Sequence, residues 1–235
     1  CRMPILEQSI IELIRGAKKK DECVILLHGL GRSKFSLLKL ELLLSKHYHV
    51  FNETYPSRKH TIEELADVAI NTALRNGAEH YSKVHFVTHS MGGILVRQYL
   101  SQHRLKNLGN VVMLGPPNQG SELVDFFQSS PALKGLFKAV NGPAGMQLGT
   151  GDGSRPNALG DVDFKLGVIA GSLSRNPISS RILEGDSDGK VSVSRSKVAG
   201  MTEHLILPVD HTFMMLDDQV ISQTEYFLEY SKFDR

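Results

Sequence analysis

The sequence predicts an α/β protein: a doubly wound, mostly parallel sheet of about six strands flanked by helices. Three observations carry this. Short apolar runs recur at residues 24–27, 84–87, 111–114 and 166–170, and a parallel strand buried on both faces reads as such a run. Between the early runs lie segments whose apolar residues repeat with helical spacing, the alternation that builds βαβ units. Several runs also end in glycine-bearing corners, such as His28-Gly29-Leu30-Gly31, Ser90-Met91-Gly92-Gly93 and Gly115-Pro116-Pro117.

In chain order, residues 5–17 predict an amphipathic helix. Ile5, Leu6, Ile10, Leu13 and Ile14 share one face, and Lys18, Lys19 and Lys20 follow where cations suit a helix C-terminus. A helix lying on a membrane surface is the sharper alternative for this stretch. Cys23 opens the first buried strand as a small core residue. Ser33 is placed to cap a helix running through Leu37, Leu40 and Leu44 to about Lys46. Tyr48-His49-Val50-Phe51 is a short strand. Thr61-Ile62-Glu63-Glu64 is a capping box that opens a helix with Leu65, Ala66, Ala69, Ile70 and Ala73 on its apolar stripe, ending near Asn76-Gly77. Residues 205–207 predict the last strand, and residues 213–230 a closing helix.

Residues 121–163 break the pattern. Leu123, Phe127, Leu133 and Phe137 fall on short amphipathic pieces interrupted by Pro131 and Gly135, and residues 142–160 are rich in Gly and Pro. A long insertion of this kind in a compact domain is usually functional or mobile. The expected organisation is one domain over residues 1–235 with this insertion at about 121–163.

Composition narrows the function. The chain has 235 residues and a formal net charge of +2, which gives no electrostatic case for nucleic acid. It contains no apolar run long enough to span a bilayer, although membrane contact stays open. The two cysteines form neither a disulfide framework nor a metal-ligand spacing. No phosphate-binding loop of the Gly-rich Lys-Ser/Thr type occurs, and no metal or cofactor is expected. The chain opens on Cys1 rather than Met, so the native start is expected upstream, which leaves cytoplasm and export equally open.

The stretch from Val84 to Arg97 carries the chemistry. A buried strand runs into a sharp corner at Ser90, and a helix follows at once. Such a corner lifts a serine hydroxyl above the sheet and leaves unpaired backbone N–H groups at the helix start. Gly92 lets helix and strand approach where a Cβ would collide. Thr88-His89-Ser90-Met91-Gly92 resembles the nucleophile elbow of the α/β-hydrolase family, G-x-S-x-G, with Thr88 in place of the first Gly. Thr is bulkier than Gly, so a slightly wider crossing of strand and helix is expected there.

That resemblance extends to four motifs in order, from about Val24 to Tyr230. His28-Gly29 ends a strand as in the family, which implies that the next residue, Leu30, offers its backbone N–H to an oxyanion together with Met91. His28 itself reads as a loop-shaping hydrogen-bonding residue rather than a proton carrier. Pro117 to Ser121 resembles the family's Pro-x-x-Gly-Ser turn. The insertion at 121–163 corresponds to the segment that covers the active site in the family, which implies an apolar lid or cap; a surface excursion packed on itself is the alternative.

The resemblance also implies the chain order Ser, then acid, then His. His211, in Val209-Asp210-His211-Thr212-Phe213, is the one histidine of ten just past the last strand and before the last helix. His204 precedes that strand, and His89, adjoining Ser90, is expected to point elsewhere. Ser187-Asp188-Gly189-Lys190-Val191 resembles the acid loop of lipase-like members, which implies Asp188 as the acid. Asp186 is its rival, and Asp210 is expected to point away.

The expected activity is that of a serine esterase, most like small lipases and esterases. Ser90, His211 and Asp188 would form the triad, and a small-molecule or lipid-like ester the substrate. An acyltransferase or thioesterase with the same triad is the first alternative; a non-catalytic binding protein on the same scaffold is the second. No residue is assigned to substrate binding, and oligomeric state, natural substrate and acyl length stay open.

Overall fold

Six parallel strands form one sheet in the order β2-β1-β3-β4-β5-β6. The computed structural model describes residues 20–235 apart from 176 and 178. The helix expected over residues 5–17 lies outside the described residues. The strands are β1 (Glu22–Leu27), β2 (His49–Asn52), β3 (Lys83–His89), β4 (Leu108–Leu114), β5 (Leu166–Gly171) and β6 (Glu203–Leu207). The helices are α1 (Leu38–Leu44), α2 (Ile62–Arg75), α3 (Met91–Gln102), α4 (Glu122–Gln128), α5 (Pro131–Met146), α6 (Arg155–Ala158), α7 (Ser179–Ile182) and α8 (Asp218–Tyr230).

Alternate strand residues feed two cores, because side chains leave a strand on opposite faces in turn. Ile25, Phe86, Val111 and Val168 pack with α2 and α3 on one face. Val24, Leu26, Val112 and Ile169 pack with α1 and α8 on the other. Cys23 is fully buried in the first core, where burial pushes its thiol up to about 12. The winding reverses at β1, so β1 and β3 are neighbours, and their C-terminal ends flank the crevice where doubly wound sheets place ligands.

Several elements differ locally from the sequence-based expectation. Ser33 precedes a 3-10 turn, Lys34–Leu37, without a side-chain cap, and α1 begins only at Leu38. Thr61 and Glu64 do form the capping box of α2, with Thr61 N–H donating to Glu64 Oε2 at 3.0 Å. Pro131 starts α5 rather than interrupting a helix, because a first-turn N–H has no intrahelical partner to lose. Gly135 sits inside α5, and a Cβ there would meet nothing within 4 Å. The break comes at Gly142 instead, at φ 70°. The closing helix starts at Asp218, after a 3-10 turn (Met214–Leu216) and an N-cap by Asp217 that accepts from Gln219 and Val220 N–H.

Gly92 keeps α3 against the sheet. A Cβ there would lie 2.5 Å from the Leu27 carbonyl oxygen, a backbone atom. Thr88, in the place of the first elbow glycine, is fully buried and pairs in register with Leu27 and Met113. The close approach that a Cβ would block is at Gly92. Gly92→Ala would gain helix propensity, worth about 1 kcal/mol, but must force apart two backbone segments. A net loss of about 2 kcal/mol is expected, read as a lower urea midpoint; an unchanged or higher midpoint would refute the packing argument.

Candidate active site

Ser90 stands between the last residue of β3, His89, and the first of α3, Met91. Its backbone is at φ 55° and ψ −125°, a conformation that L-residues rarely adopt and that persists only when the surroundings hold it. Here the holding bonds are Ser90 N–H to the Leu114 carbonyl at 2.8 Å and Gly93 N–H to the Ser90 carbonyl at 3.0 Å.

Three side chains far apart in sequence form one hydrogen-bonded line. Ser90 Oγ is 3.0 Å from His211 Nε2, and His211 Nδ1 is 2.7 Å from Asp188 Oδ2. A carboxylate only accepts, so the Nδ1 N–H donates to Asp188 and leaves Nε2 free to accept from the serine hydroxyl. The second Asp188 oxygen accepts from the Lys190 and Val191 N–H groups at 2.9 and 2.8 Å, and His211 N–H donates to the Asp188 carbonyl at 2.9 Å. Asp188 and His211 are thus tied at backbone and side chain, and both are buried. Asp186 is exposed; its carbonyl accepts from Val193 N–H. Asp210 turns back on its own loop, accepting from Thr212 and Phe213 N–H and pairing with Arg175 at 3.2 Å.

Leu30 shares a cavity with Ser90, and the Met91 N–H follows Ser90 directly while its side chain is fully buried. Among the described residues neither N–H has an acceptor. The Leu30 turn is shaped by its neighbours. His28 stacks on Tyr55 with ring centroids 3.9 Å apart, its Nδ1 meets the Gly29 carbonyl at 2.8 Å, and the Tyr55 hydroxyl donates to the His28 carbonyl. A Cβ on Gly29 would lie 2.9 Å from His89 Nδ1 and 3.1 Å from Ser90 Cβ.

Sequence reasoning missed two contributors. His89 does not point elsewhere: its Nε2 donates to the His211 carbonyl at 2.9 Å, and the two rings lie 4.8 Å apart. The sequence signal was only its adjacency to Ser90. Gly115, at φ 54°, passes Asp188 and His211 so closely that a Cβ would lie 2.9 Å from Asp188 Oδ2; its place at a strand end was the available signal. His204 lies within β6, not before it, with its Nε2 2.8 Å from Ser196 Oγ, and burial pulls it down to about 4.

Three histidines are at most 1 % exposed: His28, His85 and His89. Burial lowers all three, with His211 and Arg32 adding to the effect at His89 and Glu22 partly offsetting it at His85. A lowered folded value means that stability is fully present above the unfolded value, about 6.5, and is lost as pH falls below it. Each buried histidine then costs up to about 1.4 kcal/mol per pH unit. The urea midpoint is therefore expected to fall between about pH 7 and pH 5.5, before carboxylates titrate. A flat midpoint across that window would overturn the assignment of these rings as buried and neutral.

A cavity of about 400 Å³ opens over Ser90 and His211. Its apolar wall comes from α4 and α5 through Leu123, Val124, Phe127, Phe137 and Val140, with Leu148 beyond. Among the described residues no group of three His, Cys, Asp or Glu could hold a metal ion, and no helix is long and apolar enough to cross a membrane.

Residues 24–221 match the family described as "Alpha/beta hydrolase family". No curated protein matches the chain. Among solved structures, the Bacillus licheniformis lipase BlEst2 in its propeptide form is 19% identical with a TM-score of 0.70, covering 93% of this chain and 52% of that one. The chain thus spans about half of that form. The mature form of the same lipase is 19% identical with a TM-score of 0.65, covering 92% of this chain and 94% of that one. The phospholipase PlaB from Legionella pneumophila is 20% identical with a TM-score of 0.55, covering 75% and 45%. At these identities the likeness is one of fold.

Proposed function

We propose, from the premise that this chain belongs to the alpha/beta hydrolase family, that it cleaves carboxylic esters by acyl transfer through Ser90. The observation that supports this most is the line of contacts from Ser90 Oγ through His211 to Asp188. As Ser90 Oγ attacks the acyl carbon, His211 Nε2 takes its proton, and Asp188 stabilises the cation that forms. The N–H groups of Leu30 and Met91 receive the negative carbonyl oxygen. His211 then returns the proton to the departing alcohol, leaving an acyl group on Ser90. Water, deprotonated by the same nitrogen, attacks the acyl carbon and releases the acid.

The apolar wall from α4 and α5 fits the acyl chain of a small or lipid-like ester, and residues 121–163 act as a cap on a single catalytic domain. The lipase and phospholipase named among the fold's neighbours agree with an ester substrate. A fluorophosphonate probe tests the reading directly. The native protein is expected to take up one phosphonyl group, located at Ser90, and Ser90→Ala none. Equal labelling of the two would end the proposal.

A further inference from the structure

Two cations line the cavity beside Ser90 and His211, Arg32 and Lys190, and no Asp or Glu among the described residues lines it. Arg32 is half-buried, and its Nη2 donates to the Thr212 carbonyl at 3.0 Å. That bond occupies one of five guanidinium donors. Among the described residues neither cation has a carboxylate within ion-pair reach. The acids that stabilise them at longer range are Asp210 for Arg32 and Asp188 for Lys190. Both acids are already engaged, Asp210 with Arg175 and Asp188 with His211. Burial works against both charges, and Arg32 further works against the charge on Lys190. Two cations that repel each other, one half-buried and one exposed, share a cavity whose lining carries no carboxylate, an arrangement that favours an anion.

Their placement says which part of the substrate carries it. The departing alcohol must lie toward His211, which protonates it. Arg32 is bonded to the residue after His211, and the Lys190 N–H is bonded to the acid. The acyl side is walled by Leu123, Val124, Phe127 and Phe137, where a lone anion would be desolvated and unpaired. We propose that the alcohol part of the substrate bears an oxyanion, a phosphate or a carboxylate, bound between Arg32 and Lys190 while the acyl chain lies on the apolar wall. This rests on the ester-cleaving reading of Ser90.

The test compares hexanoyl esters of three alcohols: 3-hydroxypropyl phosphate, 4-hydroxybutyrate and butanol. At low salt kcat/KM is expected to be at least about tenfold higher for an anionic ester than for the neutral one, and the preference to shrink in about 0.5 M NaCl. The two anionic arms separate phosphate from carboxylate. Lys190→Gln, a change at an exposed side chain, is expected to lower the charged-to-neutral ratio several-fold, and Arg32→Gln/Lys190→Gln to bring it near one. Because the ratio is the readout, a general loss from disturbing the Thr212 loop does not imitate the result. A ratio near one in the native protein, or a preference surviving in the double variant, would overturn the proposal. Calorimetric binding of hexyl phosphate or heptanoate against 1-hexanol gives an answer independent of turnover. If Ser90 takes no probe and no ester is cleaved, the hydrolase reading fails. Binding of hexyl phosphate or heptanoate that the double variant loses still supports the cation pair, and the absence of binding by both overturns it.

Discussion

Replacing Ser90 by alanine is expected to lower ester turnover on the order of 10⁶-fold, the scale seen when the nucleophile of such a unit is removed. The size follows from the arrangement. His211 has its one free nitrogen on Ser90 Oγ, so without the hydroxyl the imidazole has no bound nucleophile to activate. The backbone need not change. Alanine keeps a Cβ at φ 55° and ψ −125°, and the Leu114 and Gly93 bonds that hold the corner are main-chain bonds. The urea midpoint of Ser90→Ala should therefore match the native one, which separates loss of chemistry from loss of fold. Steady-state turnover of a p-nitrophenyl ester measures the effect. Residual activity within about tenfold of native would place the nucleophile elsewhere.

Asp188→Asn is expected to cost on the order of 10⁴-fold. The asparagine amide can turn an N–H toward His211 Nδ1, which favours the tautomer whose proton sits on Nε2. That tautomer cannot accept from Ser90. The loop itself should survive, because the Lys190 and Val191 N–H bonds ask only for an acceptor oxygen, which asparagine retains. Asp186→Asn is the matched control: its side chain is exposed, and turnover within about twofold of native is expected, as for an exposed charge away from the reacting atoms. A large effect at 186 with a small one at 188 would exchange the two assignments.

The parts of the fold that were legible in the sequence were those fixed by local periodicity. Residues 24–27, 84–87, 111–114 and 166–170 read as buried strands because both their faces are covered, and they lie in β1, β3, β4 and β5. Thr61 and Glu64 announced a helix start because a capping box is a contact between near neighbours. The insertion was least legible. Pro131 and Gly135 look like breakers in isolation, yet Pro131 occupies the one helical turn that tolerates it.

For the site, Ser90 was legible from the residues around it, and Asp188 and His211 from their order and family-like loops. His89 and Gly115 were not, because their importance lies in contacts across the sheet. His89 meets a carbonyl 122 positions away, and Gly115 matters only for what a Cβ would strike.

Sequence alone determined the alternation of strands and helices and the strained corner at Ser90, since both come from the spacing of apolar residues and the steric freedom of glycine within a few positions. Only the tertiary structure decided that Asp188 rather than Asp186 meets His211, that His89 meets the His211 carbonyl, and that Arg32 and Lys190 share one cavity. These are through-space relations between distant segments, set by how the loops pack above the sheet, and side-chain identity along a chain does not encode them one residue at a time.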